Sequence, residues 1–326
     1  TKRRLKNLMD VTGITKDLDM QSSNPASMKD LLAVHPKKYL EEFKALSDID
    51  GGLLGLRTPF ARGGFDIAAL SSGLAISAIS DVLKGKYKNS YSLSRPPGHH
   101  CLPDYPNGFC LLANIAVAIE HSIKNKLGKK FCVIDWDVHH GNGTEAIFYN
   151  RNDVLTISIH QERNYPVDTG METHQGKQEG LGYNVNLPLP AGSGHQAYLN
   201  LFDRVIDPIV SNYSPDIIIV ACGFDAAMID PLSSMLCSAE TFRLLTRKAQ
   251  KLADEQCNGK LALVHEGGYS EVYVPFCGHA VLEELSGSQI IAKDPYEELF
   301  NLRQPGSRFE NMINEVLNDW EELFLK

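Results

Sequence analysis

The stretch Phe131–Gly143, FCVIDWDVHHGNG, runs from an apolar segment directly into two aspartates and two adjacent histidines. Side chains of a strand alternate between its faces. If FCVIDWDVH is extended, Asp135, Asp137 and His139 point to one side and Trp136 and Val138 to the other. Asp137 and His139 are then a candidate chelating pair. Similar strand signals recur at VLTISI (Val154–Ile159), DIIIVAC (Asp216–Cys222) and KLALVHE (Lys260–Glu266), and YSLS after residue 90 leads into the RPPGHH loop. Helical spacing at Phe65–Leu83, Phe109–Leu127, Gln196–Val210 and Ala239–Cys257 separates them. Apolar strands alternating with helices predict one α/β domain over residues 1–326, with a mostly parallel central sheet flanked by helices.

Sites in such sheets form at the carboxyl ends of the strands. His99, His100, Asp137, His139, Asp225 and Tyr269 all fall at or just beyond predicted strand ends. Asp225 follows IIIVAC across a glycine, which makes it the best third ligand for Asp137 and His139. Two carboxylates and one imidazole nearly neutralise a divalent cation and leave a position open for water, as a catalytic site requires. The RPPGHH loop presents His99 and His100 outside any apolar periodicity, and the pair reads equally as catalytic or as loop packing. Asp135 is placed to orient one imidazole. Tyr269 in HEGGYS reads as an oxyanion donor or, taken alone, as a packing residue. Asp230 reads as an Asx turn before Pro231, and His265–Glu266 lacks the second histidine of HExxH and reads as a support behind the ligands or as structural. His174 and His195 read as solvated loop residues.

A formal net charge of −8 argues against a general nucleic-acid binder, which needs basic surface to displace counterions. The seven cysteines form no CxxC and sit largely in apolar runs, favouring a reducing, cytoplasmic setting. The glycosylation triplets at Asn142 and Asn212 then read as unmodified. No stretch reads as a membrane span or signal peptide, so no membrane partner is expected. The basic start, KRRLKNLMD, reads as an amphipathic surface helix, and its abrupt beginning suggests that an upstream segment is missing. NMINEVLNDWEELFLK reads as a final helix packed through Trp320 and Phe324.

RPPGHH, DWDVHHGNG, ISIHQ, GFDAAMIDP and EGGYS, in this order, resemble the zinc-dependent histone deacetylase and acetylpolyamine amidohydrolase superfamily, most nearly its bacterial deacetylase-like amidohydrolases and class II deacetylases. The resemblance runs from about Arg3 to Leu285 and implies an arginase/deacetylase-like fold and a deacetylase catalytic domain. It implies that Asp137, His139 and Asp225 hold Zn2+, with Fe2+ the other ion suited to the set. It makes His100 the general base and later acid, His99 its electrostatic partner and Asp135 the residue paired with His99. Asn142 stands where class I members have the aspartate that partners the second histidine, and Tyr269 matches the transition-state tyrosine. Asp135, Asp137, His139, Ser158 and Ile159 match a structural K+ or Na+ site.

The same resemblance places Phe109 and Tyr165 as walls of a substrate tunnel, with Gly108, Gly267 and Leu232 lining it. The Tyr165 hydroxyl, where phenylalanine is usual, is expected to hydrogen-bond at the rim or to narrow the passage. Leu232 replaces the glutamate of polyamine-selective members, which favours an acylated lysine peptide or protein over an acylpolyamine. No oligomeric state is implied.

Overall fold

The computed structural model describes residues 1–325. Two short strands, β1 (Gly51–Leu53) and β2 (Pro59–Ala61), pair antiparallel apart from the main sheet. That sheet contains β3 (Asn89–Ser92), β4 (Phe131–Asp135), β5 (Val154–Gln161), β6 (Asn184–Leu189), β7 (Ile217–Cys222) and β8 (Leu261–His265). All five pairings in it are parallel, in the order β3-β8-β7-β4-β5-β6. The expected α/β fold with a mostly parallel central sheet is therefore present.

Alternation along the strands makes both faces apolar. Phe131, Val133, Ile217, Ile219, Ala221, Ala262 and Val264 enter one core, while Cys132, Ile134, Ile218, Val220, Cys222, Leu261 and Leu263 enter the other. A continuous apolar run is thus what a strand covered on both faces demands. The helices Gly64–Leu83 and Asn114–Lys124 supply residues to the first core, and Ala239–Cys257 and Val274–Ser286 to the second. All seven cysteines are unpaired and buried. From β4 the chain steps outward through β5 and β6, then returns to lay β7 against the other side of β4. That reversal opens a crevice beyond the carboxyl ends of β4 and β7, where ligands bind in open α/β sheets.

Several sequence expectations change in detail. The extended stretch stops at Asp135 rather than continuing to His139, because the chain makes a last rung from Trp136 N–H to the Ala221 carbonyl at 3.2 Å and then turns. The helix expected over Phe109–Leu127 begins only at Asn114, since Phe109 takes a left-handed backbone with φ 66°. Gln196–Val210 lies within a longer helical run, His195–Leu201, Phe202–Ile206 and Asp207–Tyr213, whose middle part is a π-helix. His195 starts this run and bonds through Nδ1 to Thr241 Oγ1 at 2.9 Å, so it is no solvated loop residue. Strand β6, with the β-breaking Pro188 near its end, had no counterpart in the sequence reading.

Helix Gly64–Leu83 is long and apolar enough to cross a membrane, contrary to the expectation that no stretch resembles a span; 61% of that window is buried inside the protein. The final helix, Ser307–Phe324, buries Trp320 and packs Phe324 against the same core, as its spacing predicted; Lys326 lies outside the described residues.

His35 ties the loop that follows His99 and His100 to the start of the helix Asn114–Lys124. Its Nδ1 donates to the Pro103 carbonyl at 2.7 Å and its Nε2 accepts from Ala113 N–H at 3.0 Å. Burial of this neutral ring depresses its pKa to about 4. The unfolded chain binds the proton at higher pH than the folded one, so stability falls as pH drops through this window. Between the ordinary histidine pKa and about 4, this residue alone is expected to remove about 3 kcal/mol of stability. Denaturant unfolding across that range should show a shallower fall for His35→Gln than for the parent; equal slopes would reject the assignment.

Candidate metal and catalytic site

Asp137 and His139 leave the end of β4, and Asp225 leaves the end of β7 beside it. The turn after β4 is built by its own aspartates. Asp135 Oδ1 accepts from Asp137 N–H at 3.1 Å, and Asp137 Oδ1 accepts from His139 N–H at 3.0 Å. The strand alternation assumed from the sequence is therefore replaced by carboxylate-stabilised turns, yet Asp137 and His139 still converge. His139 Nδ1 stands 3.1 Å from Asp137 Oδ1 and 3.1 Å from Asp225 Oδ2. One donor atom from each of the three residues lies within 4.8 Å of the others, and all three are buried.

Backbone donors aim the carboxylates. Asp225 Oδ1 accepts from Val138 N–H at 2.8 Å and Asp137 Oδ2 from Gly267 N–H at 2.7 Å. A Cβ at Gly267 would collide with carboxylate oxygens of both Asp225 and Asp137, and one at Gly223 with Asp137. Gly267 therefore lies against the ligand set. Burial raises the Asp225 pKa to about 7, with repulsion from Asp137 adding to it. Burial works against a charged His139, but Asp225 and Asp137 outweigh it and push the ring up to about 11. Asp137 is also opposed by burial, yet His99 and His139 hold it below the usual carboxylate range. Two buried carboxylates around one imidazole lack only positive charge, and this oxygen-and-nitrogen donor set fits a divalent cation.

His99 and His100 reach the same crevice from the loop after β3. His99 Nδ1 donates to Asp135 Oδ2 at 2.9 Å, and His100 Nδ1 donates to Asn142 Oδ1 at 2.8 Å. Their ring centroids are 4.0 Å apart, and that of His100 lies 6.0 Å from His139. Burial disfavours charge on His99, but Asp137 and Asp135 raise it to about 10. Burial, and then the neighbouring His99 and His139, drive His100 well below the ordinary imidazole value. Tyr269 closes the far side, its ring 6.3 Å from His139 and 5.8 Å from Phe109. Burial and the two carboxylates keep its hydroxyl protonated.

Phe109 is 43% exposed, so its ring meets solvent. Tyr165 stands edge-on to His100, with centroids 5.1 Å apart, and its hydroxyl donates to Asn107 Oδ1. Gly108 passes between them with φ 49°, where a side chain would meet both His100 and Tyr165. Leu232, 42% exposed, is tied to the same rim by its carbonyl, which accepts from Asn164 Nδ2 at 3.0 Å. Ser158 and Asp135 are register partners on β5 and β4, and Ile159 follows on β5, so Ser158 and Ile159 lie within β5 beside the end of β4. His140 stays out of the ligand set: its two nitrogens bond Thr169 Oγ1 at 2.9 Å and Glu145 Oε2 at 3.2 Å.

Two acids hold the backbone around the site, Glu266 in the supporting role expected of it and Asp230 in more than the expected turn. Glu266 Oε2 accepts from Gly98 N–H at 2.6 Å and His99 N–H at 3.2 Å, pinning the histidine loop to the end of β8. Asp230 does form the expected Asx turn, from Leu232 N–H at 3.0 Å, but its other oxygen also accepts from Tyr269 N–H at 2.7 Å. Lys2 corrects the surface-helix reading of the first segment: it is buried, donates to the His265 carbonyl at 3.3 Å, and is lowered by that burial to about 8 despite Glu266. An acid immediately beyond an apolar strand was the available signal for Glu266. Nothing local marked Lys2.

A cation must displace the proton that His139 holds near neutrality. Zinc added to chelator-treated protein is therefore expected to raise the melting temperature and to release about one proton per ion, read by calorimetry in buffers of different ionisation heat. Asp225→Asn should abolish the thermal shift. A parent protein whose melting does not respond to zinc would reject the site.

Comparison with known proteins agrees with this geometry. The histone deacetylase domain profile matches residues 1–285. A histone deacetylase-like amidohydrolase of Pseudomonas aeruginosa is 50% identical over 319 residues, covering 98% of this chain and 84% of its own. A probable deacetylase of Archaeoglobus fulgidus is 36% identical over 293 residues, covering 90% of this chain and 77% of its own. Among solved structures, the HDA15 HD domain superposes with a TM-score of 0.85 at 30% identity, across 99% of this chain and 87% of that one. With two-thirds or more of such relatives spanned and the family profile covering most of its length, the chain belongs to the histone deacetylase family.

Proposed function

We propose that the chain is a zinc-dependent deacylase that hydrolyses the amide joining an acetyl or related acyl group to the side-chain amine of lysine in a peptide or protein. Membership of a family of metal-dependent amidohydrolases supports it, and one observation carries it: His139 lies between two buried carboxylates, with a neutral His100 and a protonated Tyr269 facing the same space. Zinc suits the nitrogen and oxygen donors; iron(II) is the second ion for this set. Bound there, the divalent cation supplies Lewis-acid polarisation and lowers the pKa of water.

The remaining chemistry follows from the side chains. The Asn142 amide oxygen accepts the Nδ1 proton of His100, which leaves the Nε2 lone pair available as a base. His100 takes a proton from the attacking water and later gives it to the departing lysine amine, so free lysine and the carboxylate of the acyl group result. His99, held cationic by Asp135, adds positive potential beside His100 and so keeps it neutral. Tyr269 donates a hydrogen bond to the oxyanion as charge develops on it. Phe109 and Tyr165 flank the aliphatic stem, whose burial contributes affinity. Leu232 offers an extending substrate no partner for a second amine. A structural potassium or sodium ion belongs to the same reading, at Asp135, Asp137, His139, Ser158 and Ile159. The unpaired thiols favour the reducing cytoplasm as the place of work.

Acetate release from acetyl-lysine peptides, measured beside acetylspermidine, tests the reading; strong preference for acetylspermidine would replace lysine by polyamine as the substrate. Tyr269→Phe should lower kcat by about 10²- to 10³-fold while metal content, measured by elemental analysis, stays equal. Asn142→Asp places a negative charge against His100 and favours its protonated form. The acid limb of the pH profile of kcat/KM should therefore move to higher pH; an unmoved limb would remove His100 as the base.

A further inference from the structure

We propose that Arg57 is a specificity-determining residue, whose guanidinium at the tunnel mouth selects acyl-lysine peptides that carry an acidic residue beside the acyl-lysine. The inference rests on the deacylase reading and names the substrate class within it. Arg57 joins both aromatic walls. Its guanidinium lies over the Tyr165 ring, 5.5 Å from the centroid, and its carbonyl accepts from Phe109 N–H at 3.1 Å.

The position is built rather than incidental. Leu56 N–H donates to the Pro106 carbonyl at 3.2 Å, and the Leu56 carbonyl accepts from Gly108 N–H at 3.0 Å, so residues 56–57 are zipped to the segment that carries Phe109. Gly55 allows this approach, because a Cβ there would collide with the Pro106 carbonyl. Arg57 itself is held at φ 57°, a left-handed conformation that non-glycine residues adopt at a cost and keep where the surroundings impose it. Tyr165, the ring beneath it, is fixed in turn by its hydrogen bond to Asn107. The result is an oriented cation beside the opening.

That cation is exposed and forms no ion pair among the described residues. An aromatic face orients a guanidinium without neutralising it, so its charge remains available to a ligand. On the deacylase reading the acylated lysine stem enters between Phe109 and Tyr165, which leaves the neighbouring residues of a peptide outside, on the side where Arg57 lies over the Tyr165 ring. A carboxylate one or two positions from the acyl-lysine therefore meets a ready counter-charge, whereas a lysine or arginine there is repelled. The free amines of a polyamine are repelled in the same way, which sets Arg57 beside Leu232 in disfavouring that substrate. For an exposed pair of this kind, the discrimination should be about two- to five-fold in kcat/KM and should shrink as salt screens it.

The test uses the metal-loaded full chain and three acetyl-lysine peptides of one sequence, with both flanking residues aspartate, alanine or lysine. The ratio of kcat/KM for the acidic over the basic peptide is expected to exceed one, carried mainly by KM, and to fall toward one at high salt. Arg57→Lys should keep the preference, Arg57→Gln should lose it and Arg57→Glu should reverse it. A residue with only a structural role would lower all three peptides alike, so a uniform loss or a ratio indifferent to the charge at position 57 overturns the inference. Turnover of no peptide by the parent protein overturns the deacylase reading itself, which separates the two failures.

Discussion

Two carboxylates with no access to bulk water, Asp137 and Asp225, lie against a single imidazole at the ends of neighbouring strands. This crowding of negative charge is the constraint from which the other features of the site follow. Buried charge of one sign is tolerable only where cations and hydrogen-bond donors surround it. The chain supplies donors from the backbone at Val138 and Gly267 and a protonatable ring at His139, a set of groups that could hold a divalent ion. The same negative field reaches His99, which it holds protonated together with Asp135. His99 then repels a proton from His100. A neutral base thus exists beside an acidic cluster because the charge alternates outward from the centre.

The sheet determines which groups take part. Because the connections reverse between β4 and β7, two strands distant in sequence end side by side, and each delivers ligands to the shared crevice. β8 adds Glu266, Gly267 and Tyr269 from the adjoining position. Acids that never touch a ligand do the holding: Glu266 clamps the backbone of the histidine loop and Asp230 the backbone before the Tyr269 ring. Both use charge-assisted bonds to N–H groups, which set a loop more firmly than neutral partners do. Glycine is required at position 267 because only hydrogen fits between that backbone and the ligand oxygens.

Much of this was legible in the sequence where one local rule sufficed. Apolar runs such as IIIVAC announced buried parallel strands, and their polar endings announced the crevice. The ligand set emerged because Asp137, His139 and Asp225 each follow such a run. Elsewhere tertiary contacts outweigh local pattern. His139 converges with Asp137 through a turn stabilised by carboxylates, not through strand alternation. The apolar neighbours of Phe109 fit a helix, whereas its backbone is left-handed where it bonds the segment at Leu56–Arg57. Lys2 looked like a solvated helix residue, since no spacing rule foretells that a lysine will end beneath His265. The partners at Asn107 and Arg57 were invisible for the same reason: each acquires its meaning from a residue far away in the chain.

The reversal of strand order also governs when the site comes into being. His139 and Asp225 are separated by 86 positions, and the bond from His99 to Glu266 spans 167. Contacts of such range form only after the loops between them have lost their freedom, and parallel pairing cannot be reached through short hairpins. β7 must enter between strands laid down before and after it. Until it does, Asp137 and His139 form only a two-residue fragment in the turn beyond β4. The three-residue set is consequently complete only once the sheet is finished, rather than being a template around which the chain first collects.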